Sequence, residues 1–225
     1  MILKTLFDEI DAIRKRDPAA QSRLGVIFLY PSFHVLIFYK IASTLWNIRL
    51  NFIARFIMQL ARFLTGIEIH PAAKIGKRLF MDHGFGIVIG ETAEIGDDVT
   101  IYQGVTLGGI MPSVESETQR NQKRHPTIGN NVIIGSGAQI LGPIKIGNNS
   151  RVGANSVVIK NVPSNVTVAG VPAREFGQSN VKNFEAYGVS KNAKDPEEKK
   201  FLSILKRLES LENKIKLQKS KKIIK

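Results

Sequence analysis

An aliphatic residue at every sixth position, a glycine just behind most of them, and apolar residues at helix spacing on both sides predict an α+β chain. The predicted order is an N-terminal helical cap, a parallel β-helix built of hexapeptide repeats, and a C-terminal helix with coiled-coil character. In steps of six the column runs Ile69, Ile75 and Met81. After two extra residues it resumes at Ile89, Ile95, Ile101 and Leu107, and after a longer interruption at Ile128, Ile134, Ile140, Ile146, Val152 and Val158. A helix repeats near 3.6 and a strand near 2, so a period of six fits a short strand and a turn used again and again. Three such hexads make one triangular coil. The aliphatic residue points inward, and Gly and Asn take corners that need unusual dihedrals.

The segment boundaries follow from where this period starts and stops. Residues 1–66 read as helices, 67–176 as the β-solenoid with an inserted loop at 110–127, and 177–225 as a linker and a basic helix. In the cap, Leu3, Leu6, Phe7, Ile10 and Ile13 share one helix face. Asp17-Pro18 is expected to end that helix and start the next, since Asp caps well and Pro suits the first helical position. Leu24–Leu29, Phe33–Leu45 and Phe52–Leu64 are the further helices, with Gly66 closing the last. Phe28, Phe33, Phe38, Trp46, Phe52 and Phe56 are expected in the core and at subunit contacts. The apolar run from Leu24 to Phe38 is short and holds Pro31 and His34, so it reads as a buried helix and not as a membrane span. In the tail, Phe201, Ile204, Leu208, Leu211 and Ile215 alternate by three and four, a short a/d seam that suggests an oligomer.

Composition narrows the function classes. There is no cysteine, hence no disulfide framework and no thiol nucleophile. Met1–Asp11 lacks the apolar core of a signal peptide, and a cytoplasmic location is expected. The net charge is +13, and residues 191–225 carry twelve Lys/Arg against five Asp/Glu. No aromatic residue follows Phe201 and no nucleic-acid motif is present, so this basic tail reads as a solvated one, with no nucleic-acid partner expected.

Four histidines carry the candidate chemistry: His34, His70, His83 and His125. A zinc site of three histidines is one reading of the last three. Their spacing shows no paired metal-ligand pattern, and no metal is expected. His83 follows Asp82, and Glu68 lies fifteen residues earlier. With a coil of about eighteen residues, Glu68 and His83 fall on adjacent coils near one corner. A carboxylate there can orient an imidazole and leave its other nitrogen free to take a proton, with the nucleophilic hydroxyl coming from the substrate. A corner histidine bonded only to backbone fits the spacing as well.

These residues resemble a known family. Asp17-Pro18-Ala19, the run Gly66-Ile67-Glu68-Ile69-His70-Pro71, Met81-Asp82-His83-Gly84, Gly90-Glu91-Thr92, Thr106-Leu107-Gly108-Gly109, Arg124-His125-Pro126 and Ala169–Arg174 are similar, in order, to serine O-acetyltransferase of the short bacterial type. The resemblance implies a left-handed β-helix, a homotrimer, and acetyl transfer from acetyl-CoA to the hydroxyl of L-serine in L-cysteine biosynthesis. Acetyl-CoA is then a co-substrate, with no permanently bound cofactor. It implies His83 as general base, Glu68 as its orienting acid (many members have Asp) and His125 as an aid to the proton or the oxyanion. Asp17 and Asp82 would hold the serine ammonium group, Arg124 the carboxylate, Gly109 would allow close backbone approach, and Glu91 would support the pocket. Ser136, Gly137, Arg151, Ala154, Ser156 and Thr167 would line the acetyl-CoA groove. The loop from Ile110 to Lys123 is longer than the family pattern. The chain ends Lys-Ile-Ile-Lys, whereas members that dock into cysteine synthase end in Ile, so that complex is not expected. A related acetyltransferase acting on a sugar or another alcohol is the alternative; the Asp17, Asp82 and Arg124 set favours an amino acid. A non-enzymatic scaffold would make the coil histidines dispensable.

Overall fold

The computed structural model describes residues 2–110, 116–178 and 196–223. It divides into two compact units, 1–190 and 191–225. Four helices open the first: α1 (Ile2–Arg16), α2 (Arg23–Leu29), α3 (Pro31–Asn47) and α4 (Asn51–Thr65). Gly66 caps α4 in the left-handed region at φ 70°, as the sequence leads one to expect. The Asp17-Pro18 expectation is half right. It ends α1, but α2 starts only at Arg23, where the Ser22 hydroxyl accepts the Gly25 N–H. Asp17 instead accepts the Ala19 N–H at 2.7 Å and the Tyr30 hydroxyl at 2.5 Å. Its short acceptor folds back on its own turn, which competes with helix initiation.

Among the described residues fifteen strands follow, β1–β15 in chain order, and all but the last lie along three parallel sheets. Sheet A stacks β1 (Glu68–Ile69), β4 (Val88–Ile89), β7 (Thr106–Gly108), β10 (Gln139–Leu141) and β13 (Val157–Val158). Sheet B stacks β2 (Lys74–Ile75), β5 (Glu94–Ile95), β8 (Thr127–Ile128) and β11 (Lys145–Ile146). Sheet C stacks β3 (Phe80–Asp82), β6 (Thr100–Tyr102), β9 (Ile133–Ile134), β12 (Arg151–Val152) and β14 (Val166–Ala169), closed by antiparallel β15 (Arg174–Gln178). The chain visits A, B and C in turn, which makes a left-handed parallel β-helix of hexapeptide repeats. Every sequence column lands as expected: Ile69, Ile89, Leu107, Ile140 and Val158 are buried along sheet A, and Met81, Ile101, Ile134 and Val152 along sheet C. Ile75 at the rim of sheet B is only partly buried. One apolar core runs from Ala54, Met58 and Ala61 of α4 into these columns.

The coils are not uniform. Val88 pairs with Thr106, eighteen positions on, but Glu68 pairs with Val88 and Phe80 with Thr100, each twenty positions on. The two surplus residues fall between β3 and β4, at the corner where sheet C turns into sheet A. There His83, Phe85 and Gly86 are exposed while Gly84 stays buried; His83 takes φ 58° and its side chain is 75% exposed.

Arg16 fastens α1 to the coils. Its guanidinium donates to the Val99 carbonyl and the Thr100 hydroxyl, both at 3.1 Å, and to the Arg78 carbonyl, and it lies 5.5 Å over the Phe80 ring. The next residue is Asp17, so this bond set helps place that carboxylate. The aromatic expectations divide. Phe33 is buried and Phe38 and Trp46 are partly buried, but Phe28, Phe52 and Phe56 are exposed on this chain. Leu24 and Leu29 of α2 are exposed too, so the burial expected over 24–38 holds only in part, with α2 burying chiefly Val26; the expected break between the two helices falls at Tyr30. Among the described residues no single helix is long and apolar enough to cross a membrane.

The second unit contains α6 (Pro196–Ile223). Phe201, Ile204, Leu208 and Leu211 are exposed along it. Most of the expected linker, and Ile224, lie outside the described residues.

Candidate active site

Seven of the sequence-predicted residues, Asp17, Asp82, His83, Glu91, Gly109, Arg124 and His125, lie at two corners of sheet A. At the C-to-A corner stand Asp17, Asp82 and His83. Asp82 ends β3 and lies 3.9 Å from the His83 ring nitrogen Nε2. Burial pushes the Asp82 carboxyl up; the neighbouring His83 opposes this and the like charge of Asp17 adds to it. Tyr30 completes the group. Burial, its bond to Asp17 and the nearby Asp82 push its phenol up to about 12. Sequence reading missed Tyr30, because nothing but its place between α2 and α3 marks it. An ammonium group is the ligand this corner suits: it would relieve the repulsion between two carboxylates that one phenol cannot neutralise.

Glu68 does not orient His83 here, which corrects the sequence expectation. Its carboxylate pairs with Arg62 of α4 at 3.2 Å. The twenty-residue first coil sets Glu68 beneath Val88, past the corner, so the eighteen-residue spacing assumed for the pair does not apply. The acid nearest to His83 among the described ion pairs is Asp82.

The acetyl-CoA set divides as well. Backbone bonds stack Gly104 on Phe85, Gly137 on Gln103 and Asn155 on Ser136, so Ser136, Gly137 and Ala154 climb the same corner column that begins beside His83. Ser156 corrects the expectation: it is fully buried, and its hydroxyl accepts the Gly170 N–H at 3.2 Å. Arg151 and Thr167 are register partners on sheet C, away from this column. Arg151 is 6% exposed and lines a cavity with Lys15 and Arg16 of α1.

At the A-to-B corner stand Glu91, Arg124, His125, Gly109 and His70. Arg124 Nη2 donates to Glu91 Oε2. Burial raises the Glu91 carboxyl, but the Arg124 bond and the charge of His70 outweigh it and hold it below the usual carboxylate range. Glu91 thereby braces a guanidinium that has five donors in all. The inserted loop leaves from this corner, and its short helix α5 (Ser116–Gln119) helps enclose a cavity of about 430 Å³ with Glu91 and Arg124. A Cβ on Gly109 would lie 3.6 Å from the Arg124 carbonyl, an ordinary contact. His125 is 7% exposed. Thr92, passed over in the sequence except as part of Gly-Glu-Thr, bonds both its ring and its backbone.

His70 accepts the Ala72 N–H at Nδ1, has the Arg55 guanidinium 2.9 Å from Nε2, and meets Trp46 edge-on. Burial, then Arg55, push its pKa down to about 4. A folded value below the unfolded one near 6.5 means the unfolded chain binds the extra proton, so stability is complete above pH 6.5 and is lost as pH falls toward 4. The thermal midpoint should fall across that window, and His70→Gln should flatten the fall. An unchanged slope in that variant would exclude His70 as its source. His34 bonds the Ile27 carbonyl at 2.7 Å, a structural role. His83 thus stands apart from His70 and His125, and no three His, Asp or Glu are grouped for a metal among the described residues.

Residues 125–160 match the model of the bacterial transferase hexapeptide family, six repeats. The chain is 52% identical over 178 residues to a serine acetyltransferase of Mycobacterium tuberculosis, covering 79% of this chain and 75% of the relative. It is similar to the solved Neisseria gonorrhoeae serine acetyltransferase in complex with serine, at 39% identity and a TM-score of 0.71, over 77% of this chain and 68% of that one. A solved serine acetyltransferase complex with CoA matches at 41% identity and a TM-score of 0.70, over 77% of this chain and 69% of that one. Helical cap and hexad columns agree with these likenesses: the chain belongs to the serine acetyltransferase family of hexapeptide-repeat acyltransferases.

Proposed function

We propose that this chain transfers the acetyl group of acetyl-CoA to the hydroxyl of L-serine, giving O-acetyl-L-serine and CoA for L-cysteine biosynthesis, at a site shared by two copies of the chain. The observation that carries the shared site is the split itself. Asp17, Asp82 and His83 occupy one edge of sheet A, and Arg124, Glu91 and His125 the other. A hexad at about 3.3 Å per residue spans roughly 20 Å. The ammonium and carboxylate of one serine molecule are far closer than that, so no single chain can hold both. A threefold rotation sets the first corner of one copy against the second corner of the next and closes a ring with three identical sites. The exposed a/d seam of α6 supports self-association. A cytoplasmic location belongs to the same reading, since acetyl-CoA is available there.

In that site Asp17 and Asp82 receive the ammonium and Arg124 the carboxylate, where a planar fork is well suited. His83 takes the hydroxyl proton as the serine oxygen attacks the thioester carbon. The tetrahedral oxyanion then collapses, the carbon–sulfur bond breaks, and the CoA thiolate takes the proton back from His83. The corner column of Ser136, Gly137 and Ala154 offers the CoA arm a path that ends at this imidazole. Holding both substrates in line supplies much of the rate.

Thiol release from acetyl-CoA by the purified protein should depend on L-serine. Release that is equal without an acceptor, or that appears only with sugars, would overturn the reading.

A further inference from the structure

The second-corner histidine is held in one tautomer by its neighbours. His125 Nδ1 accepts the Thr92 backbone N–H at 3.1 Å and lies 2.9 Å from Thr92 Oγ1. A backbone N–H can only donate, so Nδ1 must present its lone pair. Thr92 Oγ1 itself accepts the N–H groups of Arg124 and His125, both at 3.0 Å. With both lone pairs engaged, its single hydrogen is free to point at Nδ1. The Lys123 ammonium donates to the Thr92 carbonyl, which fixes the same residue from its other side. Gly90 leaves room for the ring: a Cβ there would come within 2.1 Å of Cδ2 and 2.2 Å of Nε2. Burial and the adjacent Arg124 hold the ring neutral by lowering its pKa. A neutral imidazole has one ring hydrogen, and here only Nε2 can carry it.

We propose that Thr92 is a positioning residue that locks His125 as the Nε2–H tautomer, so that His125 serves as a hydrogen-bond donor to the tetrahedral oxyanion and not as a second base. The proposal rests on the acetyl-transfer reading above and divides labour within it. His83 has an exposed ring and moves the proton; His125 has a buried, locked ring and supplies a fixed donor. A preorganised donor costs no reorganisation as charge develops.

The test reads the tautomer directly, by nitrogen-15 NMR of histidine-labelled protein, with the His125 signals identified by their loss in His125→Asn. A protonated Nε2 and a bare Nδ1 near neutral pH, retained in Thr92→Ser, support the proposal. So does Thr92→Val that keeps this tautomer through its backbone N–H but, having lost the hydroxyl that anchors the Arg124 and His125 N–H groups, shows a kcat lower by roughly 10- to 100-fold and a KM for L-serine that changes little, because removing one oxyanion donor outright costs about 10²–10³-fold. A protonated Nδ1 in the unsubstituted protein overturns it, as does a Thr92→Val variant with unchanged kcat. Should Thr92→Val fail to fold, the spectra of the unsubstituted protein and of Thr92→Ser still decide. These spectra need no turnover. Loss of L-serine dependence would therefore sink the acetyl-transfer reading alone, and a reversed tautomer would sink only the role of Thr92.

Discussion

Replacing His83 with Ala should lower kcat by about 10²–10⁴-fold, the usual worth of a well-placed general base. The assembly should persist. The His83 side chain is 75% exposed and belongs to no apolar column, so its loss removes little packing. Its backbone is the complication, because φ 58° disfavours Ala. His83→Asn is the sharper variant, since Asn accepts that conformation readily and cannot act as a base near neutral pH. Both should be read by steady-state thiol release alongside sedimentation. Near-normal turnover in either, with the assembly intact, would take the base role away from His83.

Mixing two inactive variants should restore activity. His83→Ala disables the first corner, and Arg124→Ala the second. If each site uses the first corner of one copy and the second corner of its neighbour, a trimer holding both variants has one complete site. Random mixing at equal amounts then regenerates roughly one quarter of the unsubstituted rate. The mixture must be unfolded and refolded together, or co-expressed, so that copies exchange. Measured rates would be compared with those of the two variants assembled separately. A site built within one chain predicts no recovery at any mixing ratio, and that result would end the shared-site reading.

Much of this fold was legible because the hexad is a strong signal. Every aliphatic residue in the column from Ile69 to Val158 lies on the expected sheet, and Gly66 closes α4 where expected. What spacing could not say is which columns touch. Glu68 and His83 look like partners at eighteen residues per coil, yet the surplus pair before β4 changes their register, and Arg62 of α4 claims the carboxylate. Ser156 has the residue type of a polar contact but points inward, because its hydroxyl completes a bond to Gly170. Asp17 reads as a helix cap and is an acceptor for Tyr30. Tyr30 and Thr92 stood in no chemical pattern; each matters through the neighbour it holds, which no local window reveals. The division of the site between two corners is a property of where the chain turns, and it becomes visible only once the three sheets are in place.

The surplus pair beside His83 has a further consequence. A perfectly periodic rod offers the same surface at each rung and so has no distinguished address for chemistry. Rungs of unequal length break that translational equivalence, with the surplus pair beside His83 and the inserted loop beside Arg124 each marking one corner. Duplicating a regular rung elsewhere would lengthen the rod without creating a second reactive place, so stability and catalysis can be altered in such a molecule almost independently.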